Sequence, residues 1–413
     1  MRLWRSGIIW SVLSFIGGLG NFAFSAIIGR RLSTAEFGFA NSTLDFIGLL
    51  GLPLQMVSTA LIHYIAFFRG QNDDARLQGL LAGCQRFLFF ATIAGSFLVI
   101  FMANPLGRFF HYPRSSLMMA ALICVLVALW SGFAVALCQG MTWFKRLAVI
   151  NLAAVALRLI FGWLMTKKLP TAEIAVSATT FSLFANLALL YWWKDIFRHD
   201  AKRISPWNRD FLNFLLVTGA TVGGTYFFCF GDGLVAKRYF TGEDNGAYQA
   251  AARLSRAIPW SVGPLLMVMF TSRSGAKEGH ALSDQRILLA LYAAGLACGA
   301  AALVLFRATF VKLIFSRYNP QSAAMVIPFS ITMALIGLNQ AIGMWSLANR
   351  WFRMAMLYGA LGLAYWATLL FLGRTPSMLL SVMPVGAGAG FCILCASWLR
   401  HLRQPPPTLA PAT

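Results

Sequence analysis

Apolar residues in this chain fall into runs of about 20 that recur from end to end, each long enough to cross a hydrocarbon core of about 30 Å as a helix. Twelve runs are predicted to span, at residues 7–29, 41–64, 87–105, 116–138, 147–166, 172–193, 211–235, 247–270, 287–306, 325–347, 354–373 and 377–399. The first opens on Arg2 and Arg5, as a signal peptide would, but its apolar stretch is too long for a signal-peptide core. It is read as a retained first helix. The expected fold class is an all-α integral membrane protein.

Composition strengthens that reading. Hydrophobic residues make up 59% of the chain and charged ones 11%, with a mean hydropathy of +0.69. A soluble fold of that balance could not cover its own surface. The Lys and Arg residues sort by loop: with the N-terminus inside, nineteen fall on inner segments, twelve on outer segments and three within spans. The excess predicts that both termini are cytoplasmic. A net charge of +21 would suggest nucleic acid in a soluble protein. Here it reads as loop charge facing anionic lipid headgroups, and no basic–aromatic nucleic-acid motif accompanies it.

A repeat organises the chain. Residues 30–38 read RRLSTAEFG and residues 238–246 read RYFTGEDNG, an offset of 208 that places Glu36 on Asp244 and Gly38 on Gly246. TWFKRLA at 142–148 and RWFRMAM at 350–356 match at the same offset, Trp143 on Trp351 and Phe144 on Phe352. Two matches about 110 residues apart at one offset indicate duplication. Each half then carries six spans, an even number, so both halves share one orientation and are related by an axis along the membrane normal. The expected units are a first lobe over 1–200, a second over 201–403 and a proline-rich disordered tail over 404–413, joined by the polar segment KDIFRHDAKRISPWNRD at 194–210.

Charges inside spans are the candidate chemistry. A charge at mid-membrane costs about 2.5–3.5 kcal/mol on insertion scales, so each should face a cavity or a partner. Asp232 follows Thr218, Thr221 and Thr225 on one helical face. That stripe predicts a wet face on which the carboxyl could bind a coupling ion; pairing with Lys237, Arg238 or a buried arginine is the alternative. Gln249, Arg253 and Arg256 share another face, and at the offset of 208 Arg253 falls on Asp45. Arginine suits a diphosphate because its planar fork donates two bonds and stays charged; snorkelling or a structural pair with Asp232 is the competing role. Arg158 lies near mid-span with Asn151 seven residues earlier. It is assigned either to substrate or to an interhelical bond with backbone or Asp45. Counting Arg158, Arg253, Arg256, Asp45 and Asp232, the interior carries a net +1. Asn339, Gly343 and Ser346 form a weaker stripe read as helix-packing glue. Pro53, Pro259 and Pro264, with the pairs Gly17–Gly18 and Gly223–Gly224, mark places where helices can bend.

Soluble chemistry finds no footing. The five histidines are scattered, and there is no P-loop, no DXD-like acidic pair near a soluble domain and no metal-ligand spacing, which argues against a membrane glycosyltransferase, ligase or ATP-driven pump. Cys392 and Cys395 form a CxxC inside the last span with no second pair and no His, and read as small core residues. No cofactor is expected beyond a coupling H+ or Na+.

The blocks GRRLSTAEFGFANSTLDFIGLLGLPLQMVS, QGMTWFKRLAVINLAAVALRLIFGWL and DGLVAKRYFTGEDNGAYQAAARLSRAI resemble polysaccharide-repeat-unit (O-antigen-type) flippases. These belong to the multidrug/oligosaccharidyl-lipid/polysaccharide exporter superfamily, and the resemblance runs over nearly the whole chain. It implies a V-shaped pair of six-helix lobes working by alternating access. The implied activity is flipping an undecaprenyl-diphosphate-linked oligosaccharide from the inner to the outer leaflet of the bacterial inner membrane, for lipopolysaccharide or exopolysaccharide synthesis. Arg158, in VALRLIFGWL, falls where the family carries an arginine. The implied partners are the lipid-linked oligosaccharide, membrane lipids, and a polysaccharide polymerase with other assembly proteins. Peptidoglycan-precursor flippases usually carry fourteen spans, so the nearest rival is the twelve-span drug-exporting branch. Its cavities more often present acidic residues to cations.

Overall fold

A computed structural model describes residues 2–109, 114–191, 209–240, 242–274, 282–315, 320–349 and 351–402. The interlobe segment and the proline-rich tail lie almost wholly outside the described residues. Everything regular in the described residues is helix. In order these are α1 (Arg2–Arg31), α2 (Thr34–Leu50), α3 (Leu52–Gly70), α4 (Asp74–Phe109), α5 (Ser115–Gly140), α6 (Phe144–Lys168) and α7 (Ala172–Tyr191). The second half holds α8 (Arg209–Tyr239), α9 (Gly242–Ser274), α10 (Leu282–Leu305), α11 (Arg307–Phe315), α12 (Pro320–Ala348), α13 (Phe352–Leu372) and α14 (Pro376–Leu402).

With α2 and α3 taken as one broken span and α11 as a short extra helix, twelve spans remain, one for each predicted run. Among the described residues nine helices are long and apolar enough to cross a membrane, and the α2–α3 pair makes ten. The other two, α1 and α9, are long enough to cross, at 30 and 33 residues, but are not among those that are also apolar enough. Arg253, Arg256, Glu243 and Asp244 make α9 less apolar than its neighbours.

The span expected at 41–64 is not continuous. It bends by 52° between α2 and α3. Gly51 closes α2, its N–H bonding to Ile47 O at 2.9 Å. Pro53 then sits in the first turn of α3, where its missing N–H and ring interrupt the helical ladder. Pro259 and Pro264, by contrast, lie inside an unbroken α9. Gly224 is packed against Gly359 of α13 and marks a close helix approach.

The duplication reappears in which helices touch. α1 packs on α6 as α8 packs on α13, α5 on α7 as α12 on α14, and α4 on α5 as α10 on α12. The α12 polar stripe is indeed glue: Asn339 Nδ2 donates to Ala387 O of α14 at 3.1 Å, and Gly343 faces the ring of Tyr358. Large apolar side chains of α4, among them Phe90, Phe97, Ile100 and Phe101, are exposed. A water-facing surface would not carry such a band, and a lipid-facing one must.

The halves meet on both sides of the bend. Gly48 of α2 lies against Tyr226 of α8. Farther along, His63 of α3 stacks on Phe214 of α8 with ring centroids 4.5 Å apart, and Tyr64 meets Phe211 at 5.0 Å. The starts of α2 and α9 define the other end of the bundle, called here the glycine end.

Candidate functional site

The site begins where the repeat motifs cross. Ser33 caps α2, its Oγ accepting the Glu36 N–H at 3.2 Å. Glu36 in turn accepts from Arg114 Nη2 at 2.8 Å and from Ala172 N at 2.7 Å, fixing the starts of α2, α5 and α7 together. This leaves Gly38 facing Gly246: a Cβ on Gly38 would lie 3.0 Å from Gly246 N, and one on Gly246 would lie 2.2 Å from Thr34 O. The two glycines are partners under the offset of 208, so the halves touch at equivalent residues. Backbone contact this close excludes any side chain.

One turn deeper, Ser42 Oγ accepts from Asn245 Nδ2 at 3.1 Å and Gln249 Nε2 at 3.4 Å. Beneath these lies the charged cluster. Arg256 donates through Nη1 to both carboxylate oxygens of Asp45, at 3.0 and 2.9 Å, and through Nη2 to both of Asp232, at 2.8 and 3.0 Å. Arg253 Nη2 donates to Asp45 Oδ1 at 3.1 Å and to Asn41 O at 3.3 Å. Tyr248 Oη donates to Asp232 Oδ2 at 2.9 Å, and Tyr226 Oη donates to the backbone carbonyl of Asp45. The Phe230 ring lies 5.2 Å from the Arg256 guanidinium carbon. The side chains of Arg256, Asp45 and Asp232 are 0% exposed and that of Arg253 is 12% exposed.

Two acids and two bases thus neutralise one another in a water-poor site, where an unpaired charge would be very unfavourable. Asp45 and Arg253 are again repeat equivalents, now bonded across the axis. The space exists because residue 233 is glycine: a Cβ there would lie 2.2 Å from Asp45 Oδ2.

The structure therefore brings Asp45, Asp232, Gln249, Arg253 and Arg256 together, and leaves Arg158 apart. Arg158 Nη1 donates to Asn21 Oδ1 of α1 at 2.9 Å, and its guanidinium lies 4.0 Å above the Phe24 ring. Among the described residues no carboxylate pairs with it, so the expected alternative bond to Asp45 is not formed. The threonine stripe also differs from expectation. Thr218 and Thr221 are fully buried, and Thr225 Oγ1 lies 3.0 Å from Tyr358 Oη of α13. The stripe packs on a helix instead of lining a wet cavity, and Asp232 at its end is an ion-pair partner.

Sequence reading missed Tyr226, Tyr248, Ser42 and Asn245, since their roles need the α2–α8–α9 packing. The signal available was GDG at 231–233: a Cβ on Gly231 would meet Trp366 at 2.4 Å while Gly233 opens room for Asp45. No group of three His, Cys, Asp or Glu side chains among the described residues could hold a metal ion.

No family model matches the sequence, and no curated protein matches it. Solved structures do. An inward-facing multidrug resistance MATE family transporter of the MOP superfamily is similar over 96% of this chain and 100% of its own, with a TM-score of 0.67 and 14% identity. A eukaryotic MATE transporter is similar over 98% of this chain and 96% of its own, with a TM-score of 0.71 and 12% identity. The lipid II flippase MurJ, in an inward closed conformation, is similar over 95% of this chain and 87% of its own, with a TM-score of 0.68 and 14% identity. All three are transporters or flippases. At such identities the likeness is one of architecture, and that architecture is plain: this multi-pass membrane protein has the fold of MOP-superfamily transporters.

Proposed function

We propose that this chain flips an undecaprenyl-diphosphate-linked oligosaccharide across the bacterial inner membrane by alternating access of its two lobes, 1–200 and 201–403. One observation carries the reading. Of the charges Asp45, Arg158, Asp232, Arg253 and Arg256, both carboxylates are held by arginines, whereas Arg158 has only an amide oxygen and an aromatic ring. The uncompensated interior charge is positive. A cationic interior attracts an anionic headgroup and repels an organic cation. The lipid tail would stay in the bilayer while the headgroup and sugars cross between the lobes, with Arg158, Arg253, Arg256 and Gln249 as headgroup contacts. The drug-exporting alternative shares the fold, but both interior carboxylates among the described residues, Asp45 and Asp232, are engaged by arginines and not free to receive a cation. The nineteen-to-twelve cation bias supports cytoplasmic termini, with the glycine end then outside.

The test is flipping of a fluorescent polyprenyl-diphosphate oligosaccharide in vesicles of the purified protein. Arg158→Gln should slow flipping about tenfold or more, and Arg158→Lys should recover only part of it, because the fork is lost. Efflux of a cationic dye at a rate indifferent to Arg158, with no flipping by the parent protein, would establish the drug-exporter reading instead.

A further inference from the structure

We infer that Asp45 is a tethered anion occupying an oxyanion site made by Arg253 and Arg256, and that a diphosphate takes its place when α2 and α9 part. The inference rests on the reading of an anionic cargo and adds what keeps that site shut.

Ownership of the bonds is the first argument. Arg256 is held by Asp232 and Phe230 of α8, and Asp232 is held by Tyr248 of α9, all within the second half. The first half supplies Asp45, the Asn41 carbonyl and Ser42. Separating α2 from α9 therefore removes one acid and leaves two arginines with one acid, a net +1. The donors left empty are Arg256 Nη1 and Arg253 Nη2.

Their geometry is the second argument. In the closed state these two donors already grip a planar pair of oxygens: Arg256 Nη1 reaches both oxygens of Asp45, and Arg253 Nη2 reaches one of them. Two guanidinium groups on adjacent oxygens are what a phosphate would demand. Further donor capacity is idle, since Nε of both arginines is buried without a partner. Arg256 itself is fully buried, and only Arg253, at the edge of the cluster, is partly exposed. An incoming anion would meet Arg253 first.

The consequence is coupling. An anion that binds only the parted state pulls the equilibrium toward it by its differential affinity. Asp45 holds the glycine end closed until a competing oxyanion is present, so an empty carrier stays shut and a loaded one opens.

The experiment uses the full chain without its native cysteines, in nanodiscs of zwitterionic lipid, with inorganic pyrophosphate as probe. A Cβ on Gly242 would lie 3.4 Å from Ala35 Cβ, close to the disulfide mean of about 3.8 Å. The rate of Ala35→Cys–Gly242→Cys cross-linking therefore reads closure. Pyrophosphate should slow it in the parent. Asp45→Asn should slow it without ligand and bind pyrophosphate about tenfold more tightly than the parent, with Arg253→Gln cancelling that gain. Equal or weaker binding by Asp45→Asn, or a gain indifferent to Arg253, would overturn the inference.

If Asp45→Asn fails to accumulate, the comparison moves to Arg253→Gln with and without Asp45→Asn. The double variant should cross-link more slowly, since the charged two-oxygen hold on Arg256 is gone; equal rates would again overturn it. A phosphatidylglycerol bilayer that by itself slows cross-linking as much as pyrophosphate would overturn assignment of the site to a diphosphate. Normal flipping of the lipid-linked oligosaccharide alongside an unresponsive Asp45 variant would sink this inference and leave the proposed function standing.

Discussion

Asp232→Asn tests whether the buried cluster is a balanced set of charges. The substitution keeps the size of the side chain and removes its charge. Arg256 Nη2 and Tyr248 Oη now converge on Asp232 with three bonds. An amide offers one acceptor oxygen and turns two donor hydrogens toward those donors. The remaining acid, Asp45, would face two arginines. Breaking a buried pair costs about 3–5 kcal/mol. Because Asp45 still holds Arg256 with two bonds, the lower figure applies: about 3 kcal/mol, roughly a hundredfold in the folding equilibrium.

Adding Arg253→Gln removes the surplus cation and restores neutrality, so the double variant should recover a coupling of about 1–2 kcal/mol. The assay is the thermal unfolding midpoint of detergent-solubilised protein, followed by fluorescence-detected size exclusion, together with the amount of inserted protein. A single variant that melts with the parent, or a second substitution whose loss simply adds to the first, would refute charge balance. A proton-coupling role predicts another pattern, in which Asp232→Asn accumulates normally and loses only the pH dependence of transport.

Gly246→Ala should weaken closure of the glycine end, because its Cβ would lie 2.2 Å from a backbone oxygen that cannot swing aside. Overpacking of this kind costs about 1–3 kcal/mol, and slower cross-linking of the Ala35–Gly242 cysteine pair in normally inserted protein is the expected readout. Orientation is checked by labelling single cysteines in intact cells: Ser33→Cys, exposed at the glycine end, should react with an impermeant reagent, and Asn72→Cys, exposed at the opposite end, should not. The reverse pattern would invert the proposed topology and place the cluster near the cytoplasmic face.

Much of this protein was determined by sequence alone. Span number and approximate position follow from apolar runs, because in lipid every backbone polar group must be satisfied within its own helix and the length of that helix is set by the bilayer. The duplication, too, was legible in RRLSTAEFG against RYFTGEDNG and TWFKRLA against RWFRMAM, and it placed Asp45 opposite Arg253 before any contact was known. What it could not convey was that equivalent residues touch. An offset relates two halves without saying which faces meet, and only packing of α2 on α8 and α9 puts Gly38 on Gly246 and Asp45 on Arg253.

The same limit explains the threonine stripe. Helical periodicity shows that Thr218, Thr221, Thr225 and Asp232 lie near one face, but inside a membrane a polar face can meet water or another helix. In this fold it meets α13 and the Arg256 fork. Whether an intramembrane charge is a free site or a paired one depends on residues remote along the chain. Asp45 and Arg256 are 211 positions apart and 2.9 Å from each other, a distance that only the tertiary structure could set.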